Sequence, residues 1–399
     1  MKIRKLLAAL TAFTLIFGTM TACADADAKN ADTASAVSTE EESTVKSYIP
    51  NSENVKTLGR THELEDCLWL AYSGSGAEFE FNGTKAEITV GGDVNAEKEN
   101  NEDNQTRIAV YVNGERVIDD MINAAEEKYT VFESDTPQDV TVKIVKLSET
   151  AMSTCGIKNI TVDSAEGIKP TAAKEHFIEF IGDSITCGYG VDDEVKENHF
   201  STKTEDVTKA YAYKTAEALN ADYSMVSISG YGIISGYSND GKTKSPSQIV
   251  PKYYTKHGFS YGAYGSHIAA STKWDFTGYT PDLIVINLGT NDDSYTQNDT
   301  VKQEEYCTAY VEFLKKIREN NPDAKILCTL GIMGDRLYPY VEKAAADYTA
   351  QTGDTNISTM KFDVQSPDDG YAADWHPTEA THTKASAKLV EKIKEYMGW

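Results

Sequence analysis

The residues in this chain whose types and spacing could do chemistry begin at Gly182-Asp183-Ser184. Just before them, Phe177-Ile178-Glu179-Phe180-Ile181 reads as a buried strand; Gly182 breaks it, and Asp183-Ser184 sits where a helix should begin. A hydroxyl there lies among backbone N–H groups that lack helical partners and can hold a negative oxygen. Two roles are open to Ser184 from this stretch: a helix cap, because serine is a preferred N-cap residue, or the nucleophile of an acyl transfer. The second role needs a base and oxyanion donors elsewhere in the chain. Tyr371-Ala372-Ala373-Asp374-Trp375-His376-Pro377 offers a histidine, and the turns Gly230-Tyr231-Gly232 and Gly289-Thr290-Asn291-Asp292 offer donors.

Positioning those residues requires a scaffold, and from Phe177 onward the pattern supplies one. Tyr223 to Ser229 reads as a strand, and Leu283 to Leu288 is nearly all apolar, as expected of a strand buried on both faces of a parallel sheet. Thr204 to Asn220 is expected to be a helix opening on Glu205 and Asp206, where the dipole favours acids. Thr300 to Asn320 places Tyr306, Tyr310, Phe313, Leu314 and Ile317 on one helical face. Lys325 to Leu330, Leu337 to Gln351, Ser358 to Phe362 and Lys384 to Met397 continue as strand, helix, strand and helix. This alternation predicts a three-layer α/β domain with a parallel sheet, whose active groups gather at the carboxyl ends of the strands. Ser184, Gly230 and Asn291 all follow such ends.

The first half has a different period. Ala77, Phe79 and Phe81 alternate with acids, and Ala86, Ile88 and Val90 do the same beyond Asn82-Gly83, which predicts a hairpin. A second hairpin is expected at Asn113-Gly114, with further strands at Val140 to Leu147 and Ile157 to Val162. The region reads as an all-β sandwich ending near residue 164, with Ala165 to Lys174 as linker. Trp69, Tyr72 and Tyr111 either fill its core or stack on sugars.

Lys2, Arg4 and Lys5 precede the apolar run Leu6 to Phe17, which then ends in Met20-Thr21-Ala22-Cys23. This is the order of a secretory signal peptide, and the run is too short for a membrane span. Residues 1–22 are therefore expected to be removed. The segment 23–49, rich in Ala, Asp, Thr, Ser and Glu, is expected to be a flexible tether. Met20 to Cys23 resembles a bacterial lipobox, which implies a secreted, cell-surface lipoprotein held to the membrane by a lipid on Cys23; cleavage without lipidation is the alternative. The net charge of −24 leaves no basic stripe for nucleic acid. Beyond Cys23, the five cysteines Cys67, Cys155, Cys187, Cys307 and Cys328 form neither a zinc framework nor a disulfide scaffold. Cys187 could be a second nucleophile or a small apolar residue on the first helical turn. His199, His257 and His267 lack metal-ligand spacing, so no metal or other cofactor is expected.

Gly182-Asp183-Ser184, Ser229-Gly230, Gly289-Thr290-Asn291-Asp292 and Asp374-Trp375-His376-Pro377 resemble the four blocks of the SGNH, or GDSL-like, hydrolase superfamily. Asn54 to Asp93, and Trp274-Asp275-Phe276 ahead of Pro281-Asp282-Leu283, resemble carbohydrate esterase family 2. That resemblance runs from about residue 50 to the C-terminus. It implies a jelly-roll sandwich over 50–164 and an SGNH hydrolase domain over 175–399. It also implies an acetyl esterase acting on acetylated plant polysaccharide or oligosaccharide of the xylan or glucomannan type. By the family pattern Ser184 is the nucleophile and His376 its base, and the oxyanion is held by the N–H groups of Ser184 and Gly230 and the Asn291 amide. A lipase-like or thioesterase member of the superfamily, and a non-catalytic polysaccharide-binding lipoprotein, are the alternatives.

One position departs from the superfamily pattern. Its acid stands three residues before the histidine, where this chain has Ala373; the acid here is Asp374, two before. The candidates for orienting His376 are therefore Asp374 or a backbone carbonyl, as in the dyads of family 2. Tyr231 and Trp375 are candidate substrate-binding rings or packing residues. His382, six residues past His376, is the rival base and is expected inside the last helix.

Overall fold

A computed structural model describes residues 44–399. The expected signal peptide and Cys23 lie outside the described residues, as does the expected tether up to residue 43. Residues 45–48, which composition assigned to the tether, form a strand, Val45–Tyr48, paired antiparallel with Ile160 to Asp163.

The β module is built around two long strands, Gly76–Gly92 and Glu127–Lys146, which pair with each other along most of their length. Its strands form one ten-stranded sheet, folded over a core that includes Phe79, Phe81, Ile88, Val110, Val142 and Ile160. The two Asn-Gly pairs behave differently. Asn113 and Gly114 both take positive φ, 51° and 87°, and turn the chain between Thr106–Val112 and Glu115–Ile122. Asn82-Gly83 makes no hairpin: the strand runs straight through it, with the register shifting against its partner between Gly83 and Lys85. The reason for glycine there is close approach, since a Cβ on Gly83 would stand 2.2 Å from the Asp163 carbonyl. Trp69 and Tyr72 are fully buried but lie outside that core: Trp69 packs in a cluster with Tyr264 and Ala269, and Tyr72 in one with Ile181, Ile228 and Tyr231. Part of the expected linker is also ordered, as Ile168–Pro170 pairs with Phe79 to Phe81.

The second half carries a five-stranded sheet, all parallel, in the order Ala221–Ser227, His176–Gly182, Leu283–Asn287, Lys325–Ile332, Ile357–Val364. Alternate residues feed opposite faces. Ile284, Ile286 and Ile326 pack with Tyr310, Phe313 and Leu314 of helix Thr300–Asn320 and Val341 of helix Tyr338–Thr352. Leu283, Val285 and Leu327 pack with Tyr211 and Ala216 of helix Tyr211–Ala218 and Leu389 and Ile393 of helix Glu379–Met397. Leu58, Ala109, Val145 and Leu147 of the β module belong to that second cluster, so the two halves share a core. A buried ion pair, Arg60 to Glu179 at 2.9 Å, ties them further.

The expected helix from Thr204 begins late. Thr202–Thr204 and Val207–Lys209 are short 3-10 turns, and the α-helix starts at Tyr211. Glu205 does not face a helix dipole; it is buried and its carboxylate accepts the backbone N–H of Glu149 at 2.7 Å.

Candidate active site

Strand register brings the site together. Gly182 lies opposite Ser227 on one side and Asn287 on the other, so the turns after three adjacent strands open onto one place. Ser184 begins the helical turn Ser184–Cys187, and Asp183 caps it, its Oδ1 accepting from Ile185 N at 3.1 Å. The Asp183 Oδ2 accepts from Asn291 Nδ2 at 3.2 Å, which joins the Ser184 turn to the turn after Leu283–Asn287. Burial pushes the Asp183 carboxyl up to about 7, with nearby Asp292 adding to the rise. Asp292 in turn accepts the N–H groups of Ile233, Ile234 and Ser235, gathering the segment that follows Gly230. Gly230 takes φ +78°, a conformation that favours glycine, and a Cβ there would meet open space.

The His376 imidazole meets Ser184: Nε2 lies 2.9 Å from the serine Oγ. Its Nδ1–H donates to the Ala373 carbonyl at 3.2 Å, which fixes the tautomer with the Nε2 lone pair facing the hydroxyl. That carbonyl reaches the ring because Asp374 and Trp375 both adopt left-handed backbone, φ 50° and 64°, folding the chain back on itself. The Asp374 carboxylate does not touch the imidazole. It accepts from Tyr189 Oη at 2.6 Å, from Phe200 N at 3.0 Å, and pairs with His199 Nδ1 at 2.9 Å. Partial burial alone would raise its pKa, but these hydrogen bonds outweigh that and hold it below the usual carboxylate range. The one-residue displacement in sequence thus turns the acid from the histidine toward the segment 189–200. Tyr189 then covers the imidazole, its ring stacked at 3.9 Å. Crowding by neighbours lowers His376 to about 4, because desolvation disfavours the imidazolium.

These groups line a cavity of about 670 Å³ with Tyr237, Asn239, Asp293, Ser294, Met333 and Trp375 at its walls. Trp375 is 51% exposed, with Lys196 Nζ 4.2 Å over its ring, whereas Tyr231 is 3% exposed and packs on Tyr253 and Phe259. Tyr231 is therefore a packing residue; its carbonyl accepts from Asn291 Nδ2 at 2.9 Å and so orients that amide. His382 is fully buried, its Nδ1 accepting from Tyr211 N at 3.2 Å, far from any hydroxyl role. Cys187 is also buried, 3.2 Å from Ser227 Oγ, and burial pushes its thiol well up, away from thiolate chemistry. Sequence reading missed Tyr189, whose only signal was an aromatic residue in the turn after the nucleophile. It also missed the gathering role of Asp292. Among the described residues no group of three or more His, Cys, Asp or Glu is disposed to hold a metal ion.

Residues 180–384 match the GDSL-like lipase/acylhydrolase family, and residues 57–171 match the carbohydrate esterase 2 N-terminal domain. The chain is 30% identical over 340 residues to the cellulase/esterase CelE of Acetivibrio thermocellus, spanning 84% of this chain but 38% of CelE. It is 25% identical to an acetylxylan esterase/glucomannan deacetylase of Cellvibrio japonicus, over 90% of this chain and 93% of that protein. A family two carbohydrate esterase from Clostridium thermocellum, solved with cellohexaose, superposes with a TM-score of 0.73 at 28% identity, covering 86% of this chain and 99% of that one. The chain belongs to the GDSL-like lipase/acylhydrolase family, in carbohydrate esterase family 2.

Proposed function

We propose that this protein is an O-acetyl esterase that removes acetyl groups from plant cell-wall polysaccharide of the xylan or glucomannan type. The observation that carries the chemistry is the 2.9 Å contact between Ser184 Oγ and an imidazole whose other nitrogen is fixed by a carbonyl. In this reading the Ser184 hydroxyl attacks the acetyl carbonyl carbon as its proton passes to His376 Nε2. The N–H groups of Ser184 and Gly230, with the Asn291 amide, receive the oxyanion; Asn291 releases its longer bond to Asp183 to do so. His376 then returns the proton to the departing sugar oxygen, leaving an acetyl–serine. Water, deprotonated by the same imidazole, attacks that ester and releases acetate.

The substrate class is supported by the relatives' deacetylase names and by the wall of the cavity. Exposed Trp375 and Tyr237 offer faces for a sugar ring, and Asn239, Asp293 and Ser294 offer hydrogen bonds to its hydroxyls. Acetate release from acetylated xylan and glucomannan, together with a steep preference for acetyl over octanoyl aryl esters, is the expected result. Preference for chains of about eight carbons would favour the lipase-like reading instead. We further propose that the mature protein is displayed at the cell surface by a lipid on Cys23, a reading supported by the order of residues 2–23. Cys23→Ala should move the protein from the membrane fraction to the medium; an unchanged membrane fraction would overturn it.

A further inference from the structure

Beyond its hydrophobic contacts, the β module sends one segment beneath the active site. The long strand Glu127–Lys146 ends, and residues 147–154 cross to the α/β half before Cys155–Asp163 begins. The Leu147 carbonyl accepts Val207 N, Thr150 Oγ1 donates to the Phe259 carbonyl, and the Ala151 carbonyl accepts Tyr261 N. Ala151 packs in the cluster that holds Ile228 and Tyr231. Glu149 lies at the centre of this segment and is fully buried. Its Oε2 accepts the backbone N–H of Ser229 at 3.0 Å, and the next peptide N–H along the chain is that of Gly230.

The Glu149 backbone is itself fixed from two directions. Glu205 accepts the Glu149 N–H at 2.7 Å, and Lys146 Nζ donates to the Glu149 carbonyl at 2.8 Å. The Ser229 hydroxyl and the Ala151 N–H also approach the Glu149 carboxyl, and one oxygen of Glu205 is buried without a protein partner. A buried carboxyl at this depth raises its own pKa by desolvation, a cost that packing alone does not explain. An acceptor that holds Ser229 does explain it, because the turn so fixed must present the following N–H to an oxyanion.

We propose that Glu149, delivered by the β module, is a positioning residue for the oxyanion turn Ser229-Gly230-Tyr231. The module is then part of the catalytic apparatus and not a detachable sugar-binding appendage. The inference rests on the esterase reading, since it assigns Gly230 to the oxyanion.

The test uses the full chain and 4-nitrophenyl acetate, with kcat and KM measured separately and melting temperature as a check on folding. Glu149→Gln keeps an acceptor for Ser229 N and should stay within about threefold of wild type. Glu149→Met keeps the volume, removes the acceptor, and should lower kcat by about 10- to 100-fold with KM nearly unchanged, the size expected for a misplaced transition-state group. Should Glu149→Met fail to fold, Glu149→Asp decides: its shorter carboxylate should lower kcat about tenfold at constant KM. Wild-type kcat in folded Glu149→Met or Glu149→Asp would overturn the role, as would Glu149→Gln losing as much as Glu149→Met. An inactive wild-type protein would strike the esterase reading itself, whereas an active one with an indifferent Glu149 strikes only this inference.

Discussion

The two partners of the site are held by opposite means. Ser184 is 7% exposed and sits on a turn wedged among buried residues, with Thr186 bonded to Tyr211 and Asp183 capping below. Its place follows from the sheet, because Gly182 is fixed in register between two neighbours. His376 sits on a surface loop whose two preceding residues are left-handed and one of which, Trp375, is half exposed. Nothing in the sheet fixes that loop. It is held by Asp374 through Tyr189, Phe200 and His199, by Asp193 and Asn198 carbonyls on its backbone, and by Gln365 on the Trp375 carbonyl. A proposed nucleophile anchored by the fold and a proposed base anchored by local hydrogen bonds should respond differently to mutation and to pH.

The largest effect tests the anchored side. Ser184→Ala should reduce kcat/KM on an aryl acetate by about a thousandfold or more, with the melting temperature little changed. Substantial residual turnover would remove the serine from the chemistry. Next comes Asn291, which bridges the two turns through Tyr231 and Asp183. Asn291→Ala should cost about a hundredfold in kcat, the usual size for one oxyanion donor, with KM nearly constant. A change confined to KM would make Asn291 a substrate contact instead.

The same contrast explains what could be read in the sequence. The strand, glycine, Asp-Ser and helical turn at 177–187 are encoded within a dozen contiguous residues, so their arrangement was legible. So were the parallel strands at 283–287 and 325–332, whose apolar runs state their burial on both faces. Two Asn-Gly pairs looked alike, yet only Asn113-Gly114 turns the chain; the fate of Asn82-Gly83 depends on Asp163, eighty residues away, pressing against Gly83. The orientation of His376 was ambiguous for a related reason. It depends on two positive φ angles at non-glycine residues and on partners in 189–200, neither of which leaves a local pattern. Glu149 was silent altogether, because an acid in a loop is ordinarily solvated.

Asp374 sharpens the comparison at a smaller scale. If it acts only by holding the loop, Asp374→Ala should reduce kcat by less than about tenfold while lowering the melting temperature, since Tyr189, His199 and Phe200 lose their shared acceptor. A fall near 10⁴-fold, the size seen when an orienting aspartate is disabled in serine proteases, would mean the carboxylate reaches the imidazole in solution.

The smallest effect is in the pH profile, and it asks whether the loop is as closed as the structure has it. The proposed mechanism requires neutral His376, so activity should fall as the ring gains a proton. With its pKa lowered to about 4, about nine-tenths of the ring stays neutral at pH 5. Hydrolysis should therefore change less than about twofold between pH 7 and 5 and fall below that. A solvated imidazole near 6.5 would instead lose more than about tenfold over the same interval. Stability cannot substitute for this measurement, because its pH terms oppose. Neutral His376 contributes stability above about 6.5 that is lost as pH falls toward 4, when only the unfolded chain takes the proton. Asp183 and Asp292, raised to about 7 and about 6, contribute on the acid side and lose it as pH rises through those values. An acid limb near 6.5 that is kept in Asp183→Asn and in Asp292→Asn would show that the Asp374–Trp375 loop opens in solution, and that the base, unlike the serine, takes its place when substrate arrives.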